Sequence, residues 1–419
     1  MKAERSFELR WNNFGLINVL IQVAIGYTIY GIDRSSFGVL VPGVIKAFHL
    51  TPALAGFVAT SFLGGQAAVL ILAGWLSDVW GRKRVLILGF AVFSLAVLFS
   101  GLSRSVNELV FFRLLSGVGE GIFQPAAFAV PGALFQTRRS LGQGILQATF
   151  GLGIILGPIA AAIISTHSAD FGWRMPLIVF GVAGVIGTAV MAFMMDTGYS
   201  DYKPAAAAAA KGVSEPADRR WMWRFGVATV LIALWSQALW PFQGLGATYL
   251  VKVQHLTVVQ AGLAGMAGGV AVLSLSLPFG LLADRFGRLN LIAIAGAIVA
   301  GAYALFFSVA LTPLTAAALT FVIQGCLIAG INTNVIALIV EYVPSARLGT
   351  ALGAANTLVY AFAMFTGVEL GASASTIGWR MGSFYVVIIP SLAIAAISIG
   401  MAMWEKRQAA ASAALASAQ

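Results

Sequence analysis

The chain has 419 residues, 59% of them hydrophobic and only 10% charged. Soluble domains run at roughly 45–50% apolar and about 25% charged, so an ordinary soluble enzyme and a disordered chain are both excluded. The formal net charge of +10 would suggest nucleic acid as the partner of a soluble protein. In a chain this apolar it reads instead as basic residues gathered in cytoplasmic loops, and no nucleic acid is expected.

A bilayer core offers no water, so the backbone must bond to itself in helices or a closed barrel. The apolar runs here are long and unbroken rather than alternating, which predicts helices. A spanning helix needs ~20 apolar residues. Twelve segments qualify in chain order: 15–42, 54–77, 84–103, 107–134, 141–165, 174–195, 224–250, 259–282, 289–309, 313–341, 348–371 and 380–404. Met1 to Arg10 is charged and leads straight into the first long run, so that run is read as a retained span and not a signal peptide. The stretch after Asp196 carries an alanine run, two prolines and mixed charges. This divides the chain into an N-terminal six-helix bundle (1–195), a cytoplasmic linker (196–223), a C-terminal six-helix bundle (224–404) and a tail (405–419).

Three motif pairs support a duplication. His49-Leu-Thr recurs as His255-Leu-Thr, Gly74-Trp-Leu-Ser-Asp78-Val-Trp-Gly81-Arg82 as Gly280-Leu-Leu-Ala-Asp284-Arg-Phe-Gly287-Arg288, and Gly172-Trp-Arg-Met as Gly378-Trp-Arg-Met, all at one offset of 206 residues. An even number of helices per copy makes this a parallel repeat. With the N-terminus inside, the loops and tails of the inner face hold 18 Lys and Arg against 5 on the outer face. That bias predicts both termini in the cytoplasm. The expected location is the cytoplasmic (inner) membrane of a bacterium, and a monomer is expected.

The loop Gly74-x-Leu-x-Asp78-x-x-Gly81-Arg82-Lys83-Arg84, with its copy at Gly280 to Arg288, resembles that of the major facilitator superfamily of secondary transporters. The resemblance covers nearly the whole chain. It implies an all-α membrane protein, twelve transmembrane helices in two pseudo-symmetric bundles. Acids and bases around such short loops can latch helices on the inner face; Asp78, Arg82, Arg138, Asp284, Arg288, Glu341 and Arg347 are the gating candidates. Within the superfamily, Asp33-Arg34-Ser35-Ser36 with Pro42, and Arg113, Gly117-x-Gly119-Glu120 and Pro125, are similar to the first and fourth helices of organic-anion–proton symporters. Asparagine usually stands where this chain has Ser36.

Charges at mid-membrane cost ~2.5 kcal/mol or more each and usually mark function. Four stand out, Asp33, Arg34, Arg113 and Glu120, all in the first half. Their repeat equivalents are Leu239, Trp240, Leu319 and Cys326. Arg113 and Glu120 share a helix face ~10 Å apart, while Asp33 and Arg34 point about 100° apart. One of that pair can thus face the centre while the other faces a neighbouring helix. An arginine fork suits a carboxylate. A substrate carboxylate can take an arginine from its acid, and the abandoned acid can then take a proton.

These residues predict proton-coupled uptake of a small organic acid anion by alternating access. Glu120 is the first candidate for coupling and Asp33 the second. Arg34, Arg113, Tyr27, Tyr30, Gln147, Trp240, Asn356 and Tyr360 are the substrate-binding candidates. The alternatives are a drug or metabolite efflux antiporter of the same fold and a non-transporting membrane sensor. The lone Cys326 and the scattered His49, His167 and His255 suggest no metal site. With no phosphate-cradling loop and no nucleophile–His–acid set, neither an enzyme nor a cofactor is expected; the proton gradient supplies the drive.

Overall fold

The computed structural model describes residues 13–134, 139–168, 170–194, 220–344 and 348–418. These are helical almost throughout, with no strand among them. In the first half α1 is Asn13–Phe48. Helix α2 spans 52–80 in two pieces, Pro52–Thr60 and Phe62–Trp80, that meet at Ser61. Then come α3 (Arg82–Leu102), α4 (Val106–Leu134), α5 (Arg139–His167) and α6 (Arg174–Met194).

The second half begins with α7 (Arg220–Lys252), α8 (Val258–Phe286) and α9 (Arg288–Phe306). Helix α10 spans 313–342 and contains a π-helical segment, Gly325–Asn332. Helix α11 spans 348–376 as Leu348–Ala363 and Thr366–Thr376, broken at Met364 and Phe365. Helix α12 runs from 378 to 418 with a second π segment, Phe384–Ile388. Among the described residues, ten helices are long and apolar enough to cross a membrane. The two that fall short are α1 and α4, and these carry the four buried charges.

The duplication recurs in the backbone. Left-handed φ values occur at His49 and His255, Gly81 and Gly287, and Gly172 and Gly378. These are the same three turns in each half. Histidine is one of the few side chains that enter this region readily. Thr51 and Thr257 then cap the next helix by accepting from the N–H groups of Leu54 and Gln260. Gly81 (φ 86°) and Gly287 (φ 86°) turn the chain between helices with no connecting loop residues.

Within the first half α1 packs on α5, α2 on α4, and α3 on α4 and α6; between the halves α5 packs on α8, α2 on α11 and α1 on α7. These seams are tight toward the end that carries His49 and His255. Gly56 and Gly367 meet backbone to backbone, and so do Gly371 and Pro52. A Cβ on Gly262 would lie 2.7 Å from Ala162. Toward the Gly81/Gly287 end fewer such close approaches occur among the described residues. Gly353 shares the seam face of α11 with Gly367, and Gly280 that of α8 with Gly269, yet a Cβ on either would meet none of the described residues within 4 Å. Among the described residues, the closest contacts between the halves gather at the His49/His255 end.

Candidate functional site

The four intramembrane charges form two ion pairs, and both bridge α1 and α4. Arg113 Nη1 lies 3.2 Å from Asp33 Oδ2. Arg34 Nη1 lies 3.3 Å from Glu120 Oε2. Neighbours on α1 therefore reach partners two turns apart on α4, as their divergence of about 100° around the helix demands.

The pairs differ in what surrounds them. Arg113 is 1% exposed. Its guanidinium sits 4.2 Å from the Phe37 ring and 4.9 Å from Phe62, both in the first half. Arg34 stands between the halves. It is 4.7 Å from the Trp240 ring and 5.9 Å from Tyr360, both in the second half. On its own side it donates to the Tyr30 hydroxyl and lies 5.4 Å from Phe62. Trp240 is the repeat equivalent of Arg34, so α1 and α7 cross at equivalent positions. One turn farther along, Gly38 lets α1 press on the Gln243 carbonyl.

Sequence reasoning did not single out the amides beside this site. Gln66 on α2 is fully buried. Its Oε1 accepts from Arg34 at 3.5 Å, and its Nε2 donates to Gln124 Oε1 at 2.9 Å. Two signals were available: a lone glutamine in an apolar helix, and Gln124 one turn beyond Glu120 on the same face. One oxygen of each carboxylate, Asp33 Oδ1 and Glu120 Oε1, is buried without a hydrogen-bond partner.

Of the other candidates, Tyr27 stacks nearly parallel on Tyr30, with centroids 5.3 Å apart, and touches Phe123 and Phe150. It backs the site from within the first half. Tyr360 reaches Arg34, and Asn356 lies one turn below it on α11, half-buried. Gln147 is exposed and has no hydrogen bond to the charged groups. Arg113 joins the site through Asp33 and Phe62; its ring neighbours all belong to its own half. Gln243 donates to Gln324 Oε1 at 3.4 Å. Both help line a cavity of about 50 Å³ with Ser35 and Thr320, on the closed side of the site.

Three gating candidates come together. Arg288 Nε lies 2.6 Å from Glu341 Oε1, and its Nη2 lies 3.8 Å from Asp284 Oδ1. They tie the ends of α8, α9 and α10 within the second half. Arg138 and Arg347 lie outside the described residues, as do the side chains of Asp78 and Arg82. Among the described residues no cluster of three metal-ligating side chains occurs.

This architecture has known relatives. Residues 23–368 match the model of the Major Facilitator Superfamily. The chain belongs to that superfamily, a family of transporters rather than enzymes. The chain is 33% identical over 168 residues to a probable sulfoacetate transporter of Cupriavidus necator, covering 40% of this chain and 38% of that protein. It is 31% identical over 157 residues to multidrug resistance protein 2 of Bacillus subtilis, covering 37% of this chain and 38% of that protein. The chain thus matches well under half the length of these two relatives. Among solved structures, the D-xylose–proton symporter shares the fold with a TM-score of 0.73 at 19% identity, over 91% of this chain and 97% of that one.

Proposed function

We propose that this superfamily member carries a small organic acid anion together with a proton, by alternating access. The observation that carries the reading is Arg34, a buried guanidinium whose acid partner comes from one half and whose aromatic roof comes from the other. A carboxylate entering between the halves meets an arginine fork already desolvated and framed by Trp240 and Tyr360. Charge-assisted bidentate bonds are strong in such surroundings. The arriving carboxylate displaces Glu120. That side chain then has two buried oxygens and no cation, and a proton restores its neutrality. The site holds two positive and two negative groups when empty. Anion plus proton leaves its net charge unchanged. Asp33–Arg113 stays closed behind it and fixes α1 against α4.

Charge counting favours both termini inside, so the tightly packed His49/His255 end faces outward and the Gly81/Gly287 end faces the cytoplasm. Rocking the halves about the α1–α7 crossing would exchange the two openings. Gln243 and Gln324 lie one turn beyond the arginine and suit the uncharged part of the cargo. The sulfoacetate relative is named for an organic anion, which favours this cargo class. The Bacillus relative favours a second reading, efflux of drugs. An arginine at the contact between the halves favours anionic cargo over cationic.

The test is uptake of a carboxylate panel by protein with Glu120→Gln, assayed as gradient-driven accumulation and as exchange. The expected outcome is lost accumulation with exchange retained. Full accumulation in the variant removes Glu120 from the coupling role. Transport confined to cations or neutral solutes removes the anion reading.

A further inference from the structure

The outer end of the contact between α1 and α7 holds a cleft that the site described above leaves unused. Its volume is about 700 Å³. Its lining includes Ile45, Lys46 and His49 at the end of α1, and Val251, Lys252 and Val258 at the end of α7 and the start of α8. Ile45 and Val251 are repeat equivalents, and so are Lys46 and Lys252, at the offset of 206 residues. The pseudo-symmetry that sets Arg34 against Trp240 at mid-membrane therefore brings two lysines to one opening. Along α1 that opening lies ~18 Å beyond Arg34.

At the crossing, a ring faces a cation. At the outer end both positions are cations. No acidic side chain lines the cleft, and no ion pair among the described residues reaches either lysine. Of the acids toward this end, Glu108 accepts from the Arg104 N–H at 2.7 Å and Glu369 from Gln237 at 2.5 Å. Each lysine stands in the last turn of its helix, where the dipole favours a cation. That accounts for one lysine at each end, but not for both at one opening with His49 beside them. The Ile45, Tyr249 and Leu250 carbonyls at those ends already accept from backbone N–H groups. Lys46, His49 and Lys252 are all exposed, so their charge and hydrogen-bond donors are open to a solute.

We propose that this cleft is an outer anion-binding site, at which the cargo is captured before it reaches Arg34. A cleft lined by one sign of charge focuses the field and raises the local concentration of the opposite sign. Ammonium groups meet a carboxylate or sulfonate as point charges, without the fork of an arginine. Capture is therefore loose, and the anion can be passed on. The contact between α1 and α7 is one of those that join the halves, and the lysines stand at its outer mouth. The proposal rests on the anionic cargo and the outward orientation inferred above.

Two measurements test it, one of them without cargo. In purified protein with Cys326→Ser, Val258→Cys places a thiol in the cleft. Its rate of reaction with an anionic, sulfonate-bearing methanethiosulfonate is divided by its rate with the cationic trimethylammonium reagent. The ratio cancels any change in the ionisation of the thiol itself. Lys46→Gln with Lys252→Gln should lower the ratio several-fold, and added salt should do the same. The second measurement keeps Cys326 and follows uptake of a transported carboxylate. The two Gln substitutions should raise KM several-fold at about 0.01 M salt and leave kcat unchanged. Near 1 M, where the Debye length is about 3 Å, the difference should vanish. Lys46→Arg with Lys252→Arg should keep the low KM. An unchanged reagent ratio overturns the cleft as an anion site. A lowered ratio with an unchanged KM gives the cleft to other anions, such as lipid phosphates, and overturns capture of the cargo. Uptake confined to neutral solutes overturns the anionic cargo and its capture together but leaves the reagent ratio lysine-dependent, so the two failures are told apart.

Discussion

The two halves share a backbone and differ in chemistry. Their turns recur at one offset, down to the left-handed residues, yet at matching depths one half has Asp33, Arg34, Arg113 and Glu120 and the other has Leu239, Trp240, Leu319 and Cys326. The contact between Arg34 and Trp240 explains why the difference matters. Equivalent positions meet where α1 crosses α7, at 4.7 Å. Two copies of one arginine would face each other there as like charges. A ring opposite the cation turns that repulsion into attraction worth about 2 kcal/mol when desolvated. Duplication supplies the scaffold, and divergence at the crossing makes it workable.

The largest expected effect comes from removing the sealed cation. Arg113→Ala leaves Asp33 buried without a partner and should cost about 3–5 kcal/mol of stability. The equivalent change in the neutral half, Leu319→Ala, should cost clearly less, because Leu319 is only half-buried and no charge is orphaned. Chemical denaturation of the two purified variants checks this. Equal losses would mean that Asp33–Arg113 is no more than packing.

A second test works on the crossing itself. Trp240→Arg restores the like pair and should cost about 3 kcal/mol for charges near 5 Å at an effective dielectric of 20. Trp240→Leu should cost about 1–2 kcal/mol by loss of the cation–π contact. Thermal unfolding ranks them, and the two variants behaving alike would place Arg34 away from the ring. The smallest effect is expected at the inner-end cluster. Glu341→Gln should change stability by less than about 1 kcal/mol, since Arg288–Glu341 is solvent-exposed. A larger loss in the same unfolding assay would show that this cluster braces the second half.

Much of this was legible in the residues. Length and apolarity forced helices, the span boundaries fall within about six residues of the structure except that α12 runs on through the expected tail to Ala418, and the repeated turns follow from His49, Gly81 and their copies. The four charges stood out because an apolar solvent makes each one costly. Their pairing was only half legible. The angle between Asp33 and Arg34 showed that they must part company, but not which arginine would take which acid. Gln66 went unnoticed because a single amide costs little enough to pass as packing. The hydrogen bond from Gln237 to Glu369 could not be foreseen, since the two lie 132 residues apart.

Sequence alone therefore determined the solvent, the helices, the duplication and the depth of the charged side chains, because these depend on local apolarity and spacing. Only tertiary structure decided which charge faces its own half and which faces the other. That outcome depends on how α1 rotates against α4 and α7, and such a rotation is fixed by close packing across seams between residues far apart in the chain.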